Sequence, residues 1–593
     1  MNYQQAQAAL ITQRIRLLCH FVLLATALVV ARLFYLQINL RHYLTDRGQK
    51  NFLRIETVNS PRGNILDRNG VLLATNRPIT TISWVGSGGR TLSDEQKRTL
   101  KKLSAILGKT LDDDNELMTK LNTAERRYKE VTLADDIAFD TLGKIAEQFP
   151  KHLNIVIKTN FQRFYPHGTC ASHILGYLGR HIDMTGQTGL EKLLEESLKG
   201  HSGSVLKTID SVGKSIAQIE LEKSRCGSDI QTTTCAILQR LCESIFPEDR
   251  RGSIILMNPC DGDLYAVVSR PAFDPNRFLK PISHADWAEL QEKGPFMNRA
   301  FGANYPPGSL FKLVTVSAAL ENGLITPDST LTCKGYSLFG RRKYWCNRRA
   351  GHGELNTMNA VAQSCNVLFF EIGKQIDIDL LAKYAGYFGL GQASNIILPE
   401  KTGIVPTRAW KYENLGEQWW TGETLSVAIG QSFLLTTPIQ VARMISAIFS
   451  GYLVKPRILM HEQIEQTPLP LKPETLKFLK KSMKKVVTTG TGKRLNQLKD
   501  VKVYAKTSTA QTSSTSMRRL GSQYLEHGYF AGCFKYKNEQ PLTVVILVEN
   551  AGTAQVATTI ARNLLNGYKA LIDNDNLNLH NTQSATQALT AGT

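Results

Sequence analysis

A serine and a lysine lie at a spacing that could produce an activated nucleophile. Ser309 follows the irregular stretch Tyr305-Pro306-Pro307-Gly308, and the apolar run Leu310–Leu320 predicts a buried helix that begins at this serine. Lys312 comes one turn later on the same helix face. An apolar environment near a helix N-terminus disfavours the ammonium form of a lysine, so its neutral amine could accept the serine proton. The pair therefore predicts a serine nucleophile activated by a lysine base.

The Ser-x-x-Lys spacing alone does not define an active site, because it is common in proteins. It recurs at 211–214 and at 482–485, which we interpret as surface segments. The segment Ser364-Cys365-Asn366, at the start of the apolar run 367–372, adds a second polar box. Its hydroxyl and amide could relay a proton and bind a peptide carbonyl, whereas the alternative role for both residue types is that of a helix N-cap.

A third polar segment, Lys506-Thr507-Ser508-Thr509-Ala510, extends the alternating strand 501–505. A strand edge that carries a lysine and a threonine could pair with an extended peptide and hold its carboxylate. The alternative is an ordinary strand with one polar face.

In this order, the three boxes form the set shared by penicillin-binding proteins and serine β-lactamases. The sequence resembles a class B penicillin-binding protein of the elongation type, a peptidoglycan D,D-transpeptidase, and the resemblance covers most of the chain. The other boxes that carry it are Arg62-Gly63-Asn64-Ile65-Leu66-Asp67-Arg68-Asn69-Gly70, Arg163-Phe164-Tyr165-Pro166, Gly189-Leu190-Glu191, Asn298-Arg299-Ala300, Tyr305-Pro306-Pro307-Gly308-Ser309, Ile429-Gly430-Gln431 and Thr437-Pro438-Ile439-Gln440.

The resemblance implies acyl transfer from stem peptides that end in D-alanyl-D-alanine. Ser309 would attack the carbonyl between the two D-alanines, and Lys312 would take its proton. Backbone N–H groups of Ser309 and Thr509 would hold the oxyanion. No metal or organic cofactor is needed for this chemistry. The catalytic residues implied are Ser309, Lys312, Ser364 and Asn366, and the residues implied to bind the substrate are Lys506, Thr507 and Thr509.

Two features of the sequence bear on the identity of the third box. Lys401-Thr402-Gly403 spells the usual third box of this family better than Lys506 does, but it follows Asn366 by only 35 residues and lies among prolines. In the family that stretch is a loop between helices, so we favour Lys506. Ser508 stands where the family usually has glycine, which lets the substrate approach the strand closely. Its side chain could narrow the groove or alter the fit of a β-lactam.

Three cysteines and a histidine fall between the first two boxes. Cys333, Cys346, His352 and Cys365 would make a closed tetrahedral zinc site, although their spacings are wider than those of a compact zinc finger. Zinc here would be structural and would hold the Ser364 loop in place. The alternatives are a disulfide between Cys333 and Cys346 in an oxidising compartment, or free buried cysteines.

One apolar run, residues 17–36, is long enough to span a bilayer. The run continues past a small-residue sequence at 25–27, so we favour an uncleaved anchor over a cleaved signal peptide. Arginine and lysine residues on both sides of the run leave the orientation to the rest of the sequence. Because the resembled family acts on the cell wall, we expect a single-pass protein of the cytoplasmic (inner) membrane with its body outside the cytoplasm.

The rest of the chain predicts an α+β protein in two parts. Strands at 253–257 and 264–269, helices at 310–321, 357–373 and 437–450, a strand at 542–549 and a helix at 554–571 suggest a sheet closed by the two ends of its domain. The resemblance implies an elongated pedestal followed by a serine β-lactamase-like transpeptidase domain. The divisions we expect are a cytoplasmic tail 1–16, an anchor 17–36, a non-penicillin-binding pedestal or dimerisation domain 37–245, a transpeptidase domain 246–573 and a disordered tail 574–593.

The net charge of the chain indicates which kinds of partner it binds. The chain carries 71 basic and 51 acidic residues, a net charge of +20, which suggests an anionic partner such as a wall polymer or lipid head groups. No zinc-finger spacing, RNP box or basic low-complexity arm supports a nucleic acid. The partners we expect are peptidoglycan stem peptides, β-lactams, the membrane, a membrane glycosyltransferase and other elongation proteins. A D,D-carboxypeptidase or a non-catalytic scaffold for peptidoglycan and the glycosyltransferase is the alternative function.

Overall fold

The computed structural model describes most of the chain, namely residues 3–58, 60–111, 114–150, 152–179, 184–209, 215–498, 500–512 and 517–574. From residue 575 onward, the tail predicted to be disordered lies outside these described residues, as does the segment 211–214. The chain divides into two compact units. The first contains 1–61, 77–162 and 200–227, and the second contains 62–76, 163–199 and 228–593.

The chain starts with a long apolar helix. Tyr3–Phe34 is continuous with a π-helical turn, Tyr35–Asn39, and the helix Arg41–Phe52 follows. Within it, Ile11–Asn39 is the segment of the described chain long and apolar enough to cross a membrane, judged by length and composition. Its leucine, valine and phenylalanine side chains from Leu17 to Phe34 are exposed. Exposed apolar surface of this extent needs an apolar surrounding, which agrees with the predicted anchor.

The first unit contains two groups of paired strands. Leu53–Val58, Gly203–Ile209 and Ser215–Glu222 form one sheet. Leu72–Val85 pairs with Glu130–Ala134 and Ile155–Phe164 in the other. Its small core surrounds the buried Trp84. Besides the N-terminal helices, the described helices of this unit are Asp94–Leu107, Asn115–Arg127 and Phe139–Gln148.

The second unit is organised around a five-stranded antiparallel sheet. The strands follow the order Leu264–Arg270, Gly252–Met257, Leu542–Val548, His527–Tyr536 and Val501–Ala510. All six residues of Gly252–Met257 are buried, because helices cover both faces of the sheet. The strand near the start of the unit pairs with the strand near its end, and the predicted α+β sheet closed by its two ends is confirmed.

Two cores lie on opposite faces of this sheet. Ile254 and Leu256 point into one core, with the helices Ala236–Ile245 and Ala554–Asp573. Ile255 and Met257 point into the other, larger core. The helices of this larger side are Lys312–Glu321, Thr357–Ala362, Asn366–Gln375, Ile378–Tyr387, Arg408–Leu415, Thr421–Val427, Pro438–Ser450 and Pro473–Thr488.

Shorter elements complete the second unit. Its remaining α-helices are Ser172–Leu175, Gly189–Leu193, Glu195–Lys199 and His284–Lys293. The 3-10 turns are Pro275–Leu279, Gly308–Leu310, Lys493–Gln497, Met517–Leu520 and Ser522–Tyr524. The short strands are Ile65–Leu66, Ile230–Gln231, Thr330–Cys333, Tyr336–Phe339, Arg342–Trp345, Gly353–Asn356, Tyr452–Val454 and Gln466–Pro468.

Two sequence interpretations differ from the structure. The apolar run 357–373 is not one helix, because the chain breaks between Thr357–Ala362 and Asn366–Gln375 at Ser364, whose φ is +57°. The interpretation of Ser482 as a surface residue is wrong. Ser482 is fully buried in the helix Pro473–Thr488, because it lies on the same apolar stripe as Phe478 and Met483.

A buried ion cluster contains residues from three of the family boxes. Arg163 donates to Glu191 at 2.7 Å, and Arg62 donates to the other oxygen of the same carboxylate at 2.9 Å. Tyr165 donates to Glu191 at 3.0 Å, and Arg62 also pairs with Glu195 at 2.7 Å. Glu191 is fully buried, so its charge depends on these three donors.

We expect Glu191→Gln to lower the free energy of unfolding of the detergent-solubilised chain by about 3–5 kcal/mol, because it leaves two arginines without their shared carboxylate. Chemical denaturation followed by tryptophan fluorescence measures the effect. Glu196→Gln, on an exposed position nearby, is the matched control. Equal stability of the two variants would contradict the assignment of the cluster as a stabilising element.

Candidate active site

Ser309 lies on a tight turn that leads into a buried helix. The 3-10 turn Gly308–Leu310 precedes the helix Lys312–Glu321, in which every residue from Lys312 to Ala319 is buried. Gly308 has a φ of +54°, and a Cβ at this position would come within 2.4 Å of the Ser508 Oγ. Only glycine therefore fits at this position, and the turn places Ser309 beside the strand that carries Ser508.

Lys312 is fully buried and its ammonium group is surrounded by oxygen acceptors. Its Nζ donates to the Ser364 carbonyl at 2.9 Å, to the Ser364 Oγ at 3.2 Å and to the Asn366 Oδ1 at 2.7 Å. Burial lowers the pKa of Lys312 to about 8, against the smaller opposing effect of the nearby Cys365 and Cys346. A lysine with this pKa is partly neutral near pH 7 and can accept a proton.

Ser364 lies between two lysines. The Nζ of Lys506 approaches its Oγ at 2.9 Å, opposite the contact from Lys312. Burial, followed by the charge of Lys312, lowers the pKa of Lys506 well below its usual value. A hydroxyl has one proton to donate, so it can accept from one amine and donate to the other when that second amine is neutral. The arrangement can therefore pass a proton between Lys312 and Lys506.

The strand Val501–Ala510 provides the third box. Lys506 and Ser508 are two residues apart and so face the same side of the strand, toward the turn at Ser309. Thr507 shares a hydrogen bond with Thr491, their hydroxyl oxygens being 2.6 Å apart. Thr509 is exposed and its Oγ1 accepts from the Ala554 N–H at 3.1 Å. Sequence reasoning did not single out Thr491, because no motif marks it and only the fold brings it to Thr507.

The predicted residues form two hydrogen-bonded groups. Ser309 contacts Ser508 in one group, and the other group contains Lys312, Ser364, Asn366 and Lys506. The competing Lys401 lies in the loop between Ile378–Tyr387 and Arg408–Leu415, outside any strand, as expected.

Three cysteines and a histidine form a cluster next to Ser364, because one of them, Cys365, directly follows it in the chain. The thiols of Cys333, Cys346 and Cys365 and a ring nitrogen of His352 all lie within 4.8 Å of one another. Individual pairs include Cys333 to His352 at 3.5 Å, Cys346 to His352 at 3.5 Å and Cys346 to Cys365 at 3.9 Å. The hydrogen bond between the two thiols lowers the pKa of Cys346 and raises that of Cys365, so the pair favours one thiolate. A thiolate is the form that binds metals.

Comparisons with known proteins agree with this geometry. Residues 57–232 match the penicillin-binding protein dimerisation domain, and residues 252–566 match the penicillin binding protein transpeptidase domain. The peptidoglycan D,D-transpeptidase MrdA of Escherichia coli K12 is 27% identical over 604 residues, which cover 94% of each chain.

Solved structures give the same result. A complex between the penicillin-binding protein PBP2 and MreC from Helicobacter pylori matches with a TM-score of 0.74 and 26% identity, over 88% of this chain and all of that one. A structure titled as a peptidoglycan synthase complex that coordinates polymerization and crosslinking matches with a TM-score of 0.72 and 30% identity, over 94% and 98% of the two chains. The resemblance seen in the sequence is therefore confirmed: this chain belongs to the class B penicillin-binding proteins.

Proposed function

We propose that this protein is a peptidoglycan D,D-transpeptidase that cross-links stem peptides during cell-wall elongation through an acyl-serine intermediate. The observation that carries the proposal is the contact network in which Lys312, Ser364 and Lys506 meet beside the turn of Ser309. Such a network can activate a serine without a metal or an organic cofactor. Relatives named as peptidoglycan D,D-transpeptidases support the same activity.

In the first step, the Ser309 Oγ attacks the carbonyl carbon between the two terminal D-alanines. Its proton passes to neutral Lys312, and the new C–O bond produces a tetrahedral oxyanion. Backbone N–H groups of Ser309 and Thr509 would stabilise that charge. The C–N bond then breaks, and D-alanine leaves after its nitrogen receives a proton through Ser364. Asn366 would align the peptide, while Lys506 and Thr507 would bind the terminal carboxylate.

In the second step, an amine from a neighbouring stem peptide attacks the acyl-serine. The amine attacks the acyl carbonyl carbon and loses a proton to the lysine network, a new peptide bond forms, and the Ser309 C–O bond breaks as the lysine network returns that proton to the Ser309 Oγ. The hydroxyl of Ser364 can carry the proton in either direction, because it contacts both lysines. A D,D-carboxypeptidase would use the same first step but needs water as the second nucleophile, and a scaffold would perform neither step.

We also propose that Ile11–Asn39 anchors the protein in the cytoplasmic membrane, with the second unit outside the cytoplasm, where the cross-linking substrate lies. The exposed apolar side chains of this helix support an anchor. We expect a membrane glycosyltransferase and other elongation proteins as partners. The titles of two similar structures, one with MreC and one of a peptidoglycan synthase complex, support such assemblies.

The four-residue cluster behind Ser364 is proposed to hold a structural zinc ion. A tetrahedral site with ordinary zinc–ligand lengths places sulfurs ~3.8 Å apart and sulfur ~3.5 Å from nitrogen. The separations of 3.9 Å between Cys346 and Cys365, and of 3.5 Å from His352 to Cys333 and to Cys346, fit those values. Bound zinc would supply no chemistry to the substrate. It would fix Cys365, and with it the neighbouring Ser364 and Asn366.

Ser309→Ala should abolish labelling by a fluorescent penicillin, because no other residue provides the nucleophile in this mechanism. Peptide mapping of the labelled detergent-solubilised chain should locate the adduct on Ser309. Ser317→Ala, on a buried serine farther along the same helix, is the matched control and should keep labelling. A folded chain that is labelled neither as wild type nor as Ser508→Gly would favour the scaffold. Release of free acid in place of cross-linked product, when an acceptor stem is supplied, would favour the carboxypeptidase.

The acylation rate should rise about tenfold per pH unit below pH 8 and level off above it. Only neutral Lys312 accepts the serine proton, and its neutral fraction increases as the pH rises toward its pKa of about 8. Lys506 and the thiols of Cys346 and Cys365 are the titratable groups that face it. The amount of fluorescent penicillin bound after fixed times between pH 6 and 9 gives the pH profile of the acylation rate. Circular dichroism at each pH is the control for folding. A flat profile would contradict the role of Lys312 as the base.

The purified chain should contain about one zinc ion, and Cys346→Ser should lose it. Plasma mass spectrometry of the metal content measures the stoichiometry without any assay of activity. Cys226→Ser, at an exposed cysteine elsewhere in the chain, is the matched control and should keep the metal. A chain without zinc in which mass mapping finds a Cys333–Cys346 disulfide would show the alternative to be correct.

A further inference from the structure

The Ser508 hydroxyl joins the two sides of the turn that carries the nucleophile. Its Oγ accepts a hydrogen bond from the Ser309 N–H at 2.8 Å and donates one to the Pro307 carbonyl at 2.9 Å. Ser508 is only 2% exposed. A Cβ at Gly308 would come within 2.4 Å of this same oxygen, so the hydroxyl fills the space between strand and turn.

The contact involves one of the two N–H groups proposed for the oxyanion hole. Such a donor acts best when it lies 2.7–3.1 Å from the position that the oxyanion will occupy. The Ser508 Oγ lies at 2.8 Å from the Ser309 nitrogen, inside that range. A substrate oxygen and the Ser508 hydroxyl therefore compete for the same donor.

The direction of the hydroxyl proton decides whether Ser508 stabilises or destabilises the oxyanion. A hydroxyl has one proton and two lone pairs. The proton points to the Pro307 carbonyl, and a lone pair points to the Ser309 N–H. An approaching oxyanion thus meets a second electron-rich oxygen instead of a third donor, and the two would repel each other.

We propose that the Ser508 hydroxyl closes half of the oxyanion hole in the free enzyme. This inference rests on the proposed function, since it concerns the acylation of Ser309. An acyl donor must displace the Ser508 hydroxyl, by rotation about its Cα–Cβ bond, before the Ser309 N–H can stabilise the transition state. Ser508 thereby slows the acylation of Ser309.

The test compares second-order rate constants for acylation of the detergent-solubilised full chain by a fluorescent penicillin. Ser508→Gly and Ser508→Ala both remove the hydroxyl, and each should accelerate acylation about three- to tenfold, the range expected when one ordinary hydrogen bond need not be broken. Lys502→Gly, on an exposed position of the same strand, controls for the effect of glycine on the strand and should leave the rate unchanged. A purely structural role of Ser508 would lower the unfolding temperature of both variants without accelerating acylation.

The outcomes separate this inference from the proposed function. Labelling of Ser508→Gly that is faster than wild type, or that appears only in this variant, supports both. Labelling of wild type at an equal or higher rate overturns the inference and leaves the proposed function in place. Absence of labelling in every variant overturns the proposed function. In that case, hydrogen exchange at the Ser309 amide still tests whether Ser508 accepts a hydrogen bond from it. If the Ser309 amide exchanges no faster in Ser508→Gly than in wild type, the inference is overturned, because removing the Ser508 hydroxyl would then have removed no hydrogen bond from this amide.

Discussion

The second unit depends on a constraint at the Ser364 hydroxyl, where two buried lysines meet. Their nitrogens lie 3.2 and 2.9 Å from one oxygen, and both side chains are fully buried. Two positive charges this close in a medium of low polarity repel strongly, so at least one amine must be neutral. The helix that starts at Lys312, the strand at Lys506 and the break at Ser364 must therefore be held together by the packing around them.

That packing explains why Ser364 has a backbone conformation that side chains other than glycine rarely adopt. Its φ of +57° interrupts an otherwise apolar helical run and turns its carbonyl and its hydroxyl to the same amine. Such strain persists only when neighbouring contacts determine the geometry. Here the thiol cluster on one side and the buried helix Asn366–Gln375 on the other provide them.

Much of this site could be predicted from the sequence, because motif spacing encodes which elements carry the polar residues. The spacing of Ser309 and Lys312 on an apolar run predicted their buried helix, and the strand at Lys506 was also predicted. The start of the helix Asn366–Gln375 was predicted from the polar box before it, but the single helix predicted over 357–373 missed the break at Ser364, since apolar residues lie on both sides of it. Ser482 was wrongly interpreted as a surface residue, because its Ser-x-x-Lys motif was considered without the apolar stripe of the helix on which it lies. The contact of Ser508 with the Ser309 N–H joins residues far apart in sequence, and only the folded sheet shows it.

The pairing of Gly252–Met257 with Leu542–Val548 also has a consequence for biogenesis. The strand Gly252–Met257 cannot pair with one of its two neighbours until nearly the whole second unit has been synthesised. Closing a loop of this length makes folding slow relative to local structure formation, and until then this mostly apolar strand has one unpaired edge. Chains of this architecture should therefore need protection from aggregation until synthesis is complete, and truncation before the last strand should leave a product that cannot complete its core.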